Sequence, residues 1–297
     1  MRDCLLHRHP HLFVHVEIIR TTGDKLKTAP LSLIGGQGVF TKELQDALLD
    51  ERIDLAVHSL KDLPTITPEA LTLAAIPPRE DARDALVLPT GSDIAMPSLA
   101  ALPPNATIGT SSMRRAAQLK YVRPDIHIKE LRGNVDTRLR RLDEGEYDAI
   151  ILAAAGLNRL GLDARISLAL NPLEMLPAIG QGALGLECRA SDTATRDLLS
   201  ALDDVQTHQA CIAERSLLRH LGGGCQLPIA GHALVFRDML YVQGLVANPS
   251  GTHVLRASCE GSLSEAARIG ETLAHDLLAQ GAQALITPTA FITPAIL

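Results

Sequence analysis

Leu55-Ala56-Val57-His58-Ser59-Leu60-Lys61-Asp62-Leu63-Pro64 is the stretch from which the fold is read. Three apolar residues follow the charged Asp50, Glu51, Arg52 and Asp54, then give way to His58, Ser59, Lys61 and Asp62. A short apolar run between polar turns predicts a buried parallel strand, and Pro64 blocks an immediate helix. Ligands of open α/β sheets gather outside the carboxyl ends of the strands. An ammonium beside a carboxylate at such an end is a candidate for handling a cationic substrate. The plainer alternative is a solvated loop.

The chain around this stretch has 297 residues, enough for two or three domains. It is 46% hydrophobic but only 2% aromatic, without tryptophan. Its core must therefore be aliphatic, which suits helices layered on sheets. A net charge of -6 argues against a general nucleic-acid binder. Cys4, Cys188, Cys211, Cys225 and Cys259 are odd in number and scattered, with no Cys-x-x-Cys. That speaks against a disulfide framework or a zinc site and for a reducing compartment. His7, His9 and His11 alternate without a carboxylate or thiol partner, so no metal is expected. No long apolar run and no signal-peptide pattern are present, so a cytoplasmic protein without membrane contact is expected.

Residues 12–19 alternate in polarity and predict a strand. Gly35-Gly36-Gln37-Gly38 lacks the Gly-Lys-Ser/Thr ending of a P-loop and reads as a flexible loop. Thr41 should cap a helix running to residue 49. Residues 82–88 read as a strand, and Pro89, Pro97, Pro103 and Pro104 as a crossover after it. Glu146-Tyr147-Asp148 before Ala149-Ile150-Ile151-Leu152 repeats the pattern of residues 51–57. Two similar α/β domains facing a cleft are expected. Pro172, Pro177 and Gly180-Gln181-Gly182 mark a second crossover, so the pair should be hinged. A helix over 207–221 stops at Gly222-Gly223-Gly224. Strands over 229–235, 239–246 and 254–260 and a helix over 263–278 complete a small α+β domain. The expected division is residues 1–84 with 183–200, residues 88–177, and residues 205–297.

Charge is concentrated in one place. Residues 107–141 hold nine basic residues against three acidic ones, in a chain that is acidic overall. Seven of the nine are arginine, which favours bidentate contacts to carboxylate or phosphate. Thr110-Ser111-Ser112 can cap the following helix, whose first amides attract anions. Lys120, Arg123, Arg140 and Arg141 fit equally well on a solvated helix face. Cys225, between glycines and Pro228, reads as an accessible thiol, either nucleophile or attachment point. The other four cysteines read as small buried hydrophobes.

Six pieces, in order, resemble the porphobilinogen deaminase (hydroxymethylbilane synthase) family: His58-Ser59-Leu60-Lys61-Asp62-Leu63-Pro64, Gly109-Thr110-Ser111-Ser112-Met113-Arg114-Arg115, Leu131-Arg132-Gly133-Asn134-Val135, Ala155-Gly156-Leu157-Asn158-Arg159-Leu160, Gly180-Gln181-Gly182 and Gly223-Gly224-Cys225-Gln226-Leu227-Pro228. The resemblance implies an α/β architecture of three domains. Two are periplasmic-binding-protein-like α/β domains around a hinged cleft, and the third is a small α+β C-terminal domain. It implies a monomeric transferase of tetrapyrrole biosynthesis that joins four porphobilinogen molecules head to tail, losing ammonia each time. A dipyrromethane cofactor would be attached to Cys225 through a thioether, and 1-hydroxymethylbilane would be released. Asp62 would be catalytic, stabilising the cationic azafulvene formed as ammonia leaves. Lys61, Thr110, Ser111, Ser112, Arg114, Arg115 and Arg138 would bind the cofactor, and Arg132 and Arg159 the substrate or growing chain.

Two departures stand against the family pattern. An opening strand of the type Gly-Thr-Arg-x-Ser-x-Leu-Ala is absent, and residues 4–10 look like the tail of the helix that follows it, so the native chain is expected to be longer. Gln37 replaces a usual lysine. The rival expectations are an inactive, N-terminally truncated form and a non-catalytic two-domain anion-binding protein.

Overall fold

The computed structural model describes residues 1–21, 41–94, 97–224 and 227–286. In chain order these form α1 (Arg2–Arg8), α2 (Lys42–Leu49), β1 (Ala56–Ser59), a short 3-10 helix (Leu60–Asp62), β2 (Leu71–Ala75), β3 (Asp84–Val87) and β4 (Thr107–Gly109). Then come α3 (Met113–Val122), β5 (His127–Lys129), α4 (Val135–Asp143), β6 (Ala149–Ala153), α5 (Ala154–Arg159), β7 (Leu168–Ala169) and β8 (Leu184–Arg189). The chain continues through α6 (Thr193–Ser200), α7 (Val205–His220), β9 (Ile229–Phe236), β10 (Met239–Ala247), β11 (Val254–Ser262), α8 (Ala266–Ala279) and α9 (Ala282–Ile286).

The strands make three sheets. The central one has the order β5-β4-β6-β3-β7, with β4 parallel to β5 and β6, and β3 antiparallel to β6 and β7. Its apolar run at 149–152 is buried on both faces. Ile151 enters a core with Leu86, Ile108 and Leu119, while Ile150 and Leu152 enter another with Val87, Leu139 and Leu142. This is how a continuous apolar strand is used in a sheet with helices on both sides.

The first sheet, β1-β8-β2, is antiparallel throughout its described strands. The expected parallel strand at residues 55–57 is therefore corrected. It is β1, whose Ala56 and His58 are buried while Val57 and Ser59 are exposed, and its partner is the returning strand β8. Three apolar residues do not fix strand direction, which depends on where a distant segment returns. Residues 12–19 do not form the expected strand: Phe13 and Ile18 are 90% and 86% exposed. Alternation supplies a face, but a strand also needs a neighbour to take its backbone bonds.

The third sheet is a meander, β11-β10-β9, covered by α7 and α8. Leu240 and Val242 of β10 point into a core with Leu217 and Leu273, while Tyr241 and Gln243 face outward, as the strand period of two requires.

β2 lies in the first sheet and β3 in the second, so residues 76–83 carry the first crossover. The expected crossover at residues 89–104 is displaced: Leu88, Leu99 and Leu102 pack into the central core. The return runs between β7 and β8, as the prolines and glycines there predict. The two crossovers touch, with Glu80 N donating to Gly182 O at 3.0 Å. Gly182 has φ +83, and a Cβ there would stand 2.5 Å from Glu80 O. Cys188 and Cys211 are buried, but Cys4 is exposed and Cys259 half-buried, which corrects the uniform expectation for these thiols. Gln37 and Cys225 lie outside the described residues.

Candidate active site

The carboxyl end of β1 runs straight into the 3-10 helix that carries Lys61 and Asp62. Leu60 N donates to Ala183 O at 3.0 Å and Leu63 N to Leu60 O at 3.2 Å, which fixes this turn against the returning chain. Behind it, the buried His58 places Nε2 2.9 Å from Glu187 Oε2, and Gln45 Nε2 donates to the other oxygen of Glu187 at 3.0 Å.

Opposite stands the start of α3. Ser112 caps it, with Oγ accepting from Arg115 N at 3.4 Å, while Ser112 N donates to Thr110 Oγ1 at 3.1 Å. Ser111 Oγ donates to Leu131 O at 2.8 Å. The capping predicted from the hydroxyl run is present, and the buried Thr110 supports the turn from behind.

Lys61, Asp62, Ser111, Ser112, Arg114, Arg115 and Arg138 line one cleft of about 260 Å³. Ile179 and Gln181 of the second crossover, Leu218 of α7, Gly224 and Leu227 complete its wall. All three sheet regions thus meet at the cleft. A larger depression of about 490 Å³ at Thr72, Thr193 and Arg196 gathers no comparable set of convergent groups, and convergence of chemistry decides for the cleft.

Asp84 organises the cationic wall. It is fully buried at the first residue of β3. Its Oδ2 accepts from Arg114 Nη1 at 2.6 Å, and its Oδ1 accepts from Arg115 Nη2 at 2.7 Å and Nε at 2.9 Å. Gln181 Nε2 adds a bond to Oδ1 at 3.0 Å. Burial alone would raise this carboxyl; the two guanidiniums and these hydrogen bonds overcome it and hold the pKa far below the usual range. Arg114 also donates to Leu176 O at 2.7 Å and Arg115 to Ile151 O at 3.1 Å. The arginine heads are therefore fixed before any ligand arrives.

Arg138 Nε donates to Gly133 O at 2.7 Å. Burial, then the like charges of Arg115 and Arg132, push its pKa down. Lys61 is pushed down by burial and by Arg115 and Arg114, against the pull of Asp62 and Asp84. Asp62 is exposed by area, but what it faces is the cleft, where protein displaces much of its water. Desolvation pushes its carboxyl above the usual range, opposed by Lys61 and His58. Four cations and the carboxylate of Asp62 thus line one concavity, with Asp84 buried behind the arginines, a set that calls for an anionic ligand.

Arg132 and Arg159 are outside the cleft lining. Arg132 Nε bonds Glu130 at 2.5 Å, and Arg159 is exposed at the end of α5. Asp84 and Gln181 were not singled out from sequence as site residues. An aspartate opening an otherwise apolar buried strand is the signal that marks Asp84.

Comparison with known proteins gives the family. The family profile described as "Porphobilinogen deaminase, dipyromethane cofactor binding domain" matches residues 2–197, and "Porphobilinogen deaminase, C-terminal domain" matches residues 208–279. The porphobilinogen deaminase of Syntrophobacter fumaroxidans is 51% identical over 93% of this chain and 88% of its own. That of Syntrophotalea carbinolica is 50% identical over 96% of this chain and 90% of its own. Among solved structures, a probable amino-acid ABC transporter extracellular-binding protein from Bacillus subtilis overlaps at 13% identity and a TM-score of 0.39, over 68% of this chain and 77% of that one, a likeness too loose to carry an argument. On the two profile matches and the identity to both relatives, the chain belongs to the porphobilinogen deaminase family.

Proposed function

We propose that the cleft joins four porphobilinogen molecules head to tail, with loss of ammonia at each step, onto a dipyrromethane group attached through a thioether to Cys225, and releases 1-hydroxymethylbilane by hydrolysis. This makes the chain a transferase of tetrapyrrole biosynthesis, working as a cytoplasmic monomer. Among the described residues no helix is long and apolar enough to cross a membrane. The proposed division into residues 1–84 with 183–200, residues 88–177 and residues 205–297 assigns Asp62, the arginine wall and Cys225 to different domains.

The observation that carries the reading is the meeting of Asp62 with four cations in one cleft. These residues fit a dipyrromethane. Each pyrrole brings an acetate and a propionate, which match Lys61, Arg114, Arg115, Arg138 and the hydroxyls of Ser111 and Ser112. Arg138 sits among like charges that an anion would relieve. Gln181 Oε1 is a buried acceptor with no donor, beside groups that would hold a ligand rich in N–H. When bound, the group supplies the nucleophilic pyrrole carbon on which the chain grows.

The residues themselves do three things. Arg114 and Arg115, pre-oriented by Asp84, bind carboxylates through charge-assisted bonds of roughly 1.5–3 kcal/mol each. Lys61 and Arg138 add positive charge to the same cleft. Asp62 faces the positive charge that develops on the substrate as ammonia departs, and a carboxylate fixed there stabilises that charge without reorganising. Its raised pKa also suits it to carry a proton to the leaving nitrogen. Arg132 and Arg159, outside the cleft, are assigned to the incoming substrate or the lengthening chain.

Asp62→Asn tests the reading. Porphobilinogen consumption should fall about a hundredfold or more, with the unfolding midpoint unchanged. Turnover within a few-fold of the parent protein would contradict the role given to Asp62, and a parent protein that binds anions but consumes no porphobilinogen would make an anion-binding protein the better account.

A further inference from the structure

Arg215 sits on α7, the helix of the third sheet, yet its guanidinium reaches the first region. Nη1 donates to Leu63 O at 3.0 Å and Nη2 to Pro64 O at 2.7 Å. Leu63 and Pro64 are the two residues that follow Asp62. The side chain is half-buried, and burial lowers its pKa, with Cys211 and Glu187 acting in the opposite sense. No carboxylate among the described residues forms an ion pair with it; both of its bonds go to the main chain of one loop. Desolvating a cation for two carbonyls is a poor way to stabilise a fold, since an apolar side chain would fill the space without that cost. It is an effective way to fix a loop, because a guanidinium donates two parallel bonds in a rigid plane.

The neighbouring residue tightens the same connection. Glu214 accepts from Arg79 of the first crossover at 2.6 Å and from Gly180 N of the second at 2.7 Å. One step further along α7, Leu218 lines the cleft. The helix is thereby anchored to both crossovers, and Arg215 extends the anchoring to the turn that carries Asp62.

We infer that Arg215 is a positioning residue for the reaction: from the third region it clamps the carbonyls of Leu63 and Pro64 and so holds Asp62 in register with the cleft. The inference rests on the assignment of Asp62 as the reacting group. The turn is also held by Leu60 N on Ala183 O, by Leu63 N on Leu60 O and by burial of Leu63 among Leu60, Ile76, Ala183 and Cys211, so releasing Arg215 loosens the carbonyl side of the segment after Asp62 without unfolding the turn.

The test uses Arg215→Met and Arg215→Lys in the full chain, with porphobilinogen consumption and amide hydrogen exchange as readouts. Arg215→Met should lower kcat about 10- to 100-fold, the cost of misplacing a catalytic group by roughly 1 Å, with KM changed less than about twofold. Arg215→Lys, which keeps the charge but not the planar fork, should fall between it and the parent. Exchange at Leu63 N should accelerate, while the amides of β9 to β11 keep their protection. An unchanged kcat in both variants, a rise in KM in place of the loss in kcat, or unchanged exchange at Leu63 would overturn the inference. Should Arg215→Met fail to fold, the lysine variant decides by the same criteria. Failure of the Asp62 assignment is recognised separately, as activity surviving Asp62→Asn.

Discussion

Replacing Asp84 by asparagine should unfold this protein more readily than its size of change suggests. The shape is kept, and one acceptor oxygen remains for Arg114 or Arg115. What is lost is the single negative charge between two guanidiniums at 2.6 and 2.7 Å, in a place with no exposure to water. Breaking a buried ion pair by removing one partner costs roughly 3–5 kcal/mol, because the other charge stays buried. Here two cations are stranded, so the upper half of that range applies. With an unfolding entropy of about 2.1 cal/mol/K per residue, the 297 residues give about 0.6 kcal/mol per degree for one cooperative transition. The midpoint should therefore drop by roughly 6–8 °C in a thermal melt followed by circular dichroism.

The pH dependence of that difference follows from its sign. Asp84 is depressed in the folded state, so its contribution is complete above the unfolded carboxyl pKa of about 3.9. It is lost as pH falls through the lower folded value. The gap between parent and variant should be constant from pH 8 to about 5 and should narrow below about 4. A midpoint within about 1 °C of the parent at pH 7 would refute the reasoning, and so would a gap that widens in acid.

Two other expectations can be checked with the same purified material. Gly182→Ala places a Cβ 2.5 Å from Glu80 O at a φ of +83, so the touching crossovers must separate; a loss of about 1–3 kcal/mol in a urea titration is expected. If Asp62 acts ionised on the developing cation, kcat should rise with pH through a pKa above the ordinary carboxyl value, since burial raises that group. A pH–rate profile with its acid limb at or below about pH 4 would contradict this.

Much of the architecture was legible because some signals are local. The run at 149–152 is buried on both faces and can only be an inner strand. The hydroxyl run before Met113 caps a helix by its own side chains. The three strands of the last sheet follow one another through short turns, so alternation alone places them. What was not legible depended on distant partners. Strand β1 takes its direction from β8, more than a hundred residues later. Residues 12–19 have the alternation of a strand and no described neighbour to make them one. The clustered arginines were visible, but the residues that orient them were not: Asp84 is one carboxylate in a strand, and Arg215 is one polar position on an amphipathic helix. Asp84 acquires meaning only when β3 is set beside α3, and Arg215 only when α7 packs against the loop after Asp62. Arg132 and Arg159, drawn from the same motif reasoning as the cleft arginines, stand outside the lining.

The most direct test of the account is the intact mass of the purified protein under denaturing conditions. A mass above that of the bare chain by two linked pyrrole units, and its loss in Cys225→Ser, is the predicted result. It would join the cysteine loop to the arginine wall through one covalent primer. A parent protein of unmodified mass, or an adduct that survives Cys225→Ser, would contradict assembly on a dipyrromethane held at that cysteine.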